Sequence, residues 1–116
     1  MSEEPARYGP QPPIACCLDA LDPATRKRQH ELLALVRSQV QAVEELPNGY
    51  AATLAADPVL FLQIAEWVSL ERRCCPFADF TIEWTRDDVV RVRLTGAAGA
   101  KEVLAAEILG DKGASF

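Results

Sequence analysis

The chain carries no Cys-x-x-Cys, no glycine-rich phosphate loop and no paired His-x-x-x-His. Those absences exclude a thioredoxin-like redox motif, phosphate cradling by a P-loop and a helical two-histidine zinc site. Its one histidine, His30, falls on a polar helix face beside Arg28 and Glu31, so no Ser-His-Asp assembly can be built around it. A basic surplus is also missing. The net charge is −5, and the only dense basic run, Arg26-Lys27-Arg28, reads as a solvated helix face, which excludes nucleic acid as a partner. No stretch approaches the roughly 18 consecutive apolar residues that span a bilayer, and Met1 to Pro13 lacks the apolar centre of a signal peptide. The expectation is a cytoplasmic protein without a membrane partner, in a compartment where thiols stay reduced unless they bind metal or cycle. There is no internal repeat and no low-complexity tract.

What is present is an ordinary globular composition. With 116 residues, 49% of them hydrophobic and 25% charged, the chain is long enough to bury a core without metal or disulfides. Pro5, Pro10, Pro12 and Pro13 make residues 1–13 a flexible arm, which leaves 14–116 as a single domain. Asp22-Pro23 supplies an N-cap followed by proline at the first helical position. The helix it starts carries Leu32, Val36, Val40 and Val43 on one stripe and ends at Leu46-Pro47-Asn48-Gly49. Residues 49–55 read as a short strand. Asp57-Pro58 repeats the cap-and-proline device for a second helix, with Phe61, Ile64, Ala65 and Val68 inward and a stop at Pro76. Then Phe80, Ile82 and Trp84 alternate with polar residues, as do Val90, Val92 and Leu94, around a turn at Asp87-Asp88. That is a hairpin over 79–95. A third helix over 97–109, closed by Gly110, completes the pattern. The fold class is α+β, with three helices on one face of a small antiparallel sheet of three strands. Sheet edges, together with Trp67 and Phe77 as surplus aromatics, suggest a homodimer.

The four cysteines form two adjacent pairs, Cys16-Cys17 and Cys74-Cys75. Random placement gives two such pairs roughly once in a thousand arrangements, so the pairing asks for a reason. The second pair ends the second helix at Pro76, with Glu71 three and four residues earlier and therefore beside both thiols. Adjacent helical residues diverge by about 100°, so two thiols grip one ion only where the helix end loosens, as Pro76 requires. Cys16 or Cys17, brought alongside, makes a set of three sulfurs. Three sulfurs suit Hg(II), Cu(I) or As(III), and a fourth donor suits Zn(II). A helix C-terminus disfavours thiolate, Arg72 and Arg73 oppose that, and a bound cation overrides both. The candidate metal ligands are therefore Cys16, Cys17, Cys74 and Cys75. Glu71 is a ligand, an orienting group or half of an ion pair.

The run Glu71-Arg72-Arg73-Cys74-Cys75-Pro76-Phe77-Ala78-Asp79-Phe80 resembles a family of small bacterial proteins of no assigned activity. Their pattern is Glu-Arg-x-Cys-Cys-Pro-Phe-x-x-Phe followed by a hairpin ending Leu-Thr-Gly, here Leu94-Thr95-Gly96, and a helix here containing Lys101 and Glu102. Ala15-Cys16-Cys17-Leu18 and Leu46-Pro47-Asn48-Gly49-Tyr50 continue the likeness over most of residues 14–110. The resemblance implies an association with genes for mercury or arsenic resistance and metal-responsive regulators. Its shared thiols are Cys16, Cys74 and Cys75, with Glu71 beside them. Cys17 falls where the family does not call for cysteine, and Ala97 stands where it has proline, so the third helix can start differently.

Three functions compete on these grounds. A soft-ion binding protein uses the thiol cluster to sequester or hand on a thiophilic metal. A thiol redox protein has Cys74 or Cys75 attacked and Cys16 or Cys17 resolving. A structural zinc site serves a dimeric interaction domain. The first is the expectation, and non-enzymatic binding is favoured over catalysis.

Overall fold

The computed structural model describes residues 14, 15, 17 and 19–109; the arm expected over 1–13, Cys16 and Gly110 lie outside the described residues. Helix α1 spans Pro23–Gln39, and Asp22 caps it by accepting a hydrogen bond from the Thr25 amide at 2.8 Å. Strands β1 (Val40–Leu46) and β2 (Gly49–Ala55) follow as a hairpin. Helix α2 covers Pro58–Cys74, capped by Asp57 through the Leu60 amide at 2.8 Å. Strands β3 (Ala78–Trp84) and β4 (Val89–Gly96) form the second hairpin. Helix α3 (Ala100–Leu104) continues as a π-helical turn over Ala105–Leu109.

The sheet has four antiparallel strands in the order β1-β2-β4-β3. The order is not sequential because α2 carries the chain across, so that β4 lies beside β2 and β3 takes the outer edge. Phe80 pairs with Leu94, Ile82 with Val92 and Trp84 with Val90. Directly paired residues point to one side of a sheet, so these six share a face, as the alternating pattern predicts. Leu54, Ala52 and Tyr50 extend that face through β2. The opposite face carries Glu83, Arg91 and Arg93. Glu83 stands across from Arg91 but pairs diagonally with Arg93 at 2.6 Å.

One cluster of buried residues joins the sheet to all three helices: Leu32 and Val36 of α1, Ile64 and Trp67 of α2, and Leu104 and Ile108 of the last segment, with Leu54, Val90, Val92 and Leu94. Phe61 tilts against Trp84 at 5.2 Å between ring centres, and Trp67 meets Phe80 edge-on at 6.1 Å. Trp67 and Phe77, read from sequence as surplus aromatics, are buried in the protein's own core.

Three elements differ from the sequence reading. Val40 and Val43 do not extend α1; they belong to β1, which makes the sheet four-stranded rather than three-stranded. The reason is a β-bulge. Val40 pairs with Leu54 and Ala42 with Thr53, so Gln41 is an extra residue and Val43, opposite Ala52, returns to the same face as Val40. A three-residue spacing that normally signals a helix is here a strand with one residue inserted. The third helix begins at Ala100 rather than 97, after Gly99 with φ +95°. The turn between β3 and β4 uses residues 86–88, with Asp88 at φ +64° and its amide bonded to the Thr85 carbonyl at 2.9 Å.

Gly49 shows how closely β2 and β4 approach: a Cβ there would lie 1.8 Å from the Leu94 carbonyl oxygen. At Gly99 the space is open, the nearest atom being Ile14 Cγ2 at 3.9 Å, and only the positive φ opposes a side chain. Gly99→Ala should therefore cost about 1–2 kcal/mol from backbone conformation alone. Gly49→Ala should cost more in urea unfolding, because two central strands must part. An equal or smaller loss at Gly49 would contradict that close approach.

Candidate functional site

Helix α2 ends where Pro76 forces Cys75 out of helical geometry. Cys75 sits at φ −121°, ψ 68°, and its amide still donates to the Glu71 carbonyl at 2.8 Å. This places Glu71, Cys74 and Cys75 on the last turn, all buried: Glu71 is 3% exposed, Cys74 4% and Cys75 0%. Arg72 and Arg73 between them face solvent.

A carboxylate this deep must be met by donors. Glu71 Oε1 accepts from Trp67 Nε1 at 2.9 Å, one helical turn back, and from Gln29 Nε2 of α1, also at 2.9 Å. Glu71 Oε2 accepts from the Cys75 thiol at 3.5 Å. Outside this network, Arg28 grips Glu66 with two bonds of 2.9 and 2.8 Å, holding α1 against α2 in the register that sets Gln29 opposite Glu71.

The first cysteine pair arrives by backbone. The Cys17 amide donates to the Cys74 carbonyl at 2.7 Å, satisfying an orphan acceptor of the helix end. A turn follows, with the Ala20 amide on the Cys17 carbonyl at 3.1 Å, and Arg73 Nη2 holds the Ala20 carbonyl at 3.1 Å. Cys17 itself is exposed. Cys16, the first of the expected ligands, lies outside the described residues. Cys17, Cys74, Cys75 and Glu71 therefore meet at one end of α2. Among the described residues, however, no group of three or more His, Cys, Asp or Glu side chains is arranged to hold a metal ion.

Burial pushes the Cys74 thiol above its ordinary pKa of 9.0, and the Glu71 charge adds to that. The Gln29 amide and the Arg26 guanidinium act the other way. For Cys74, the arginine that favours a thiolate is Arg26 of α1. Beside Cys74 is a pocket of about 60 Å³ lined by Arg26, Gln29, His30, Leu33, Glu71, Cys74 and Glu107. Gln29 Oε1 is a buried acceptor with no hydrogen-bond partner among the described residues.

Sequence reasoning missed Gln29, Trp67 and Arg26. Trp67 could have been found, since an indole four residues before a glutamate on one helix is within reach. Gln29 keeps the spacing of the apolar stripe, three before Leu32 and seven before Val36, and a polar residue in that phase needs a buried partner. Arg26 gives no local signal. Its role comes from the packing of α1 on α2. Compared with protein-family models, curated proteins and solved structures, the chain matches none.

Two outcomes follow. Glu71→Ala strands the Trp67 and Gln29 donors and should cost about 2–4 kcal/mol in denaturant unfolding; a loss under half of that would mean the network is not closed in solution. Glu71→Gln removes a negative charge beside Cys74, so the Cys74 titration, followed by the Cβ shift of ¹³C-labelled cysteine, should move to lower pH. A raised thiol pKa means the folded state holds its proton more tightly. The corresponding stability is full below the unfolded value of 9.0 and is lost as pH climbs through the folded value. Thermal midpoints should accordingly fall more steeply above about pH 9 in the parent than in Cys74→Ala.

Proposed function

We propose that this protein is a cytoplasmic soft-ion binding protein that takes a thiophilic metal at the C-terminal end of α2. The observation that carries this reading is the 2.7 Å bond from the Cys17 amide to the Cys74 carbonyl. It ties the first cysteine pair to the second although the two are distant in sequence. The cytoplasmic part rests on the adjacent cysteine pairs, which fit poorly with a secreted disulfide framework.

The electrostatics support a cation more than a free nucleophilic thiolate. Cys74 lies beside the negative Glu71 in a buried setting, which holds the thiol protonated at neutral pH. A bound soft cation reverses that balance and displaces the thiol protons. Glu71 Oε2, already accepting from the Cys75 thiol, is positioned to receive one of them. Hg(II) and Cu(I), which two thiolates satisfy, ask least of Cys17, Cys74 and Cys75. As(III) takes three sulfurs, as many as Cys17, Cys74 and Cys75 supply, while Zn(II) needs a fourth donor.

Anaerobically reduced protein titrated with Hg(II) against a competing thiol should bind one equivalent and release protons. Its affinity should rise as pH rises, because the ligands are thiolates. The Cys74→Ser/Cys75→Ser double variant should lose at least about a hundredfold in affinity, as expected when two soft ligands become hard ones. Parent-like affinity in that variant would overturn the reading.

A further inference from the structure

Cys17 and Cys74 differ sharply in what can reach them. Cys17 is exposed, whereas Cys74 is 4% exposed. Their backbones touch through the 2.7 Å bond between the Cys17 amide and the Cys74 carbonyl. Standard backbone dimensions then hold the two Cα atoms about 4.5–6 Å apart, inside the roughly 4.4–6.8 Å that a disulfide spans. The contact is not a chance approach of a loose segment. The turn from Cys17 to Ala20 and the Arg73 bond to the Ala20 carbonyl anchor the same stretch a second time. Cys75 is a poorer partner for an outside reagent, being fully buried with its thiol on Glu71.

We infer that Cys17 is a modification site for low-molecular-weight disulfides and that Cys74 resolves the adduct, closing a reversible Cys17–Cys74 bond. This inverts the roles that the sequence suggests, in which the second pair is attacked and the first resolves. Burial sets the order. Among the described cysteines Cys17 alone is exposed to a small disulfide, and its adduct lies beside the buried Cys74.

The exchange balances without a further oxidant. The Cys17 thiolate attacks one sulfur of R–S–S–R, that S–S bond breaks, and one thiolate leaves and takes up the proton Cys17 gave. The Cys74 thiolate then attacks the Cys17 sulfur, and the second R–S⁻ leaves and takes the proton of Cys74. Two protein thiols and one small disulfide become one protein disulfide and two small thiols. The bond consumes two of the sulfurs assigned above to the soft ion, so oxidation empties that site. This last consequence rests on the metal-binding reading; the disulfide itself does not.

The test uses the full reduced chain exposed to glutathione disulfide, quenched in acid and mapped by mass spectrometry after proteolysis. The parent should lose two hydrogens and yield one peptide pair joined through Cys17 and Cys74. Cys74→Ser should stop at the Cys17–glutathione adduct. The surface variant Cys17→Ser, which leaves the core untouched, should keep Cys74 reduced. A persistent adduct on Cys17 in the parent, or a bond that joins Cys74 to another cysteine, would overturn the inference. Hg(II) titration of the same samples separates the two ideas. Reduced protein that binds while oxidised protein binds at least tenfold more weakly supports both. Reduced protein that fails to bind, alongside a mapped Cys17–Cys74 bond, sinks the metal reading and leaves the modification site standing.

Discussion

A carboxylate at 3% exposure cannot be left to itself, and the architecture around Glu71 is organised by that demand. Removing such a group from water costs several kcal/mol unless donors replace the lost hydration. Trp67 answers from the same helix, Gln29 from the neighbouring one and Cys75 from the residue that ends the helix. Each donor fixes something else in turn. Trp67 brings its ring into the core against Phe80, Gln29 sets the register of α1 on α2, and Cys75 holds the chain where it leaves the helix. The charge that has to be satisfied is therefore also what aligns the thiols.

The sheet's contribution is indirect but necessary. Because β4 lies between β2 and β3, the α2 crossover runs from the inner hairpin to the outer edge, and its C-terminal turn comes to rest at the start of β3. The apolar cluster below fixes the helices, and the Arg28–Glu66 pair trims their relative slide from the solvent side. Such an exposed pair contributes little to stability. Its geometric role, one residue before Gln29, is the larger one.

Much of this was legible in the chain itself, for identifiable reasons. Asp22-Pro23 and Asp57-Pro58 are short-range signals whose chemistry is complete within four residues, and both helices start where those signals say. The β3–β4 alternation is likewise self-contained. The bulge at Gln41 was not legible, since it restores to a strand the spacing of a helix and only pairing with β2 distinguishes the two. The meeting of Glu71 with Cys75 follows from helical spacing. The partners contributed by α1, Gln29 and Arg26, depend on how two helices pack, which no local pattern encodes.

The contact between Cys17 and Cys74 has one more consequence, for motion rather than chemistry. The segment through Ala20 is held to the end of α2 by the Cys17 and Arg73 hydrogen bonds, while the helices and sheet below share a continuous apolar core. Two such bonds are worth only a few kcal/mol against global unfolding. The amide of Cys17 should therefore exchange with solvent well before those of β4. The junction between the two cysteine pairs thus rests on a small local equilibrium, not on the stability of the domain.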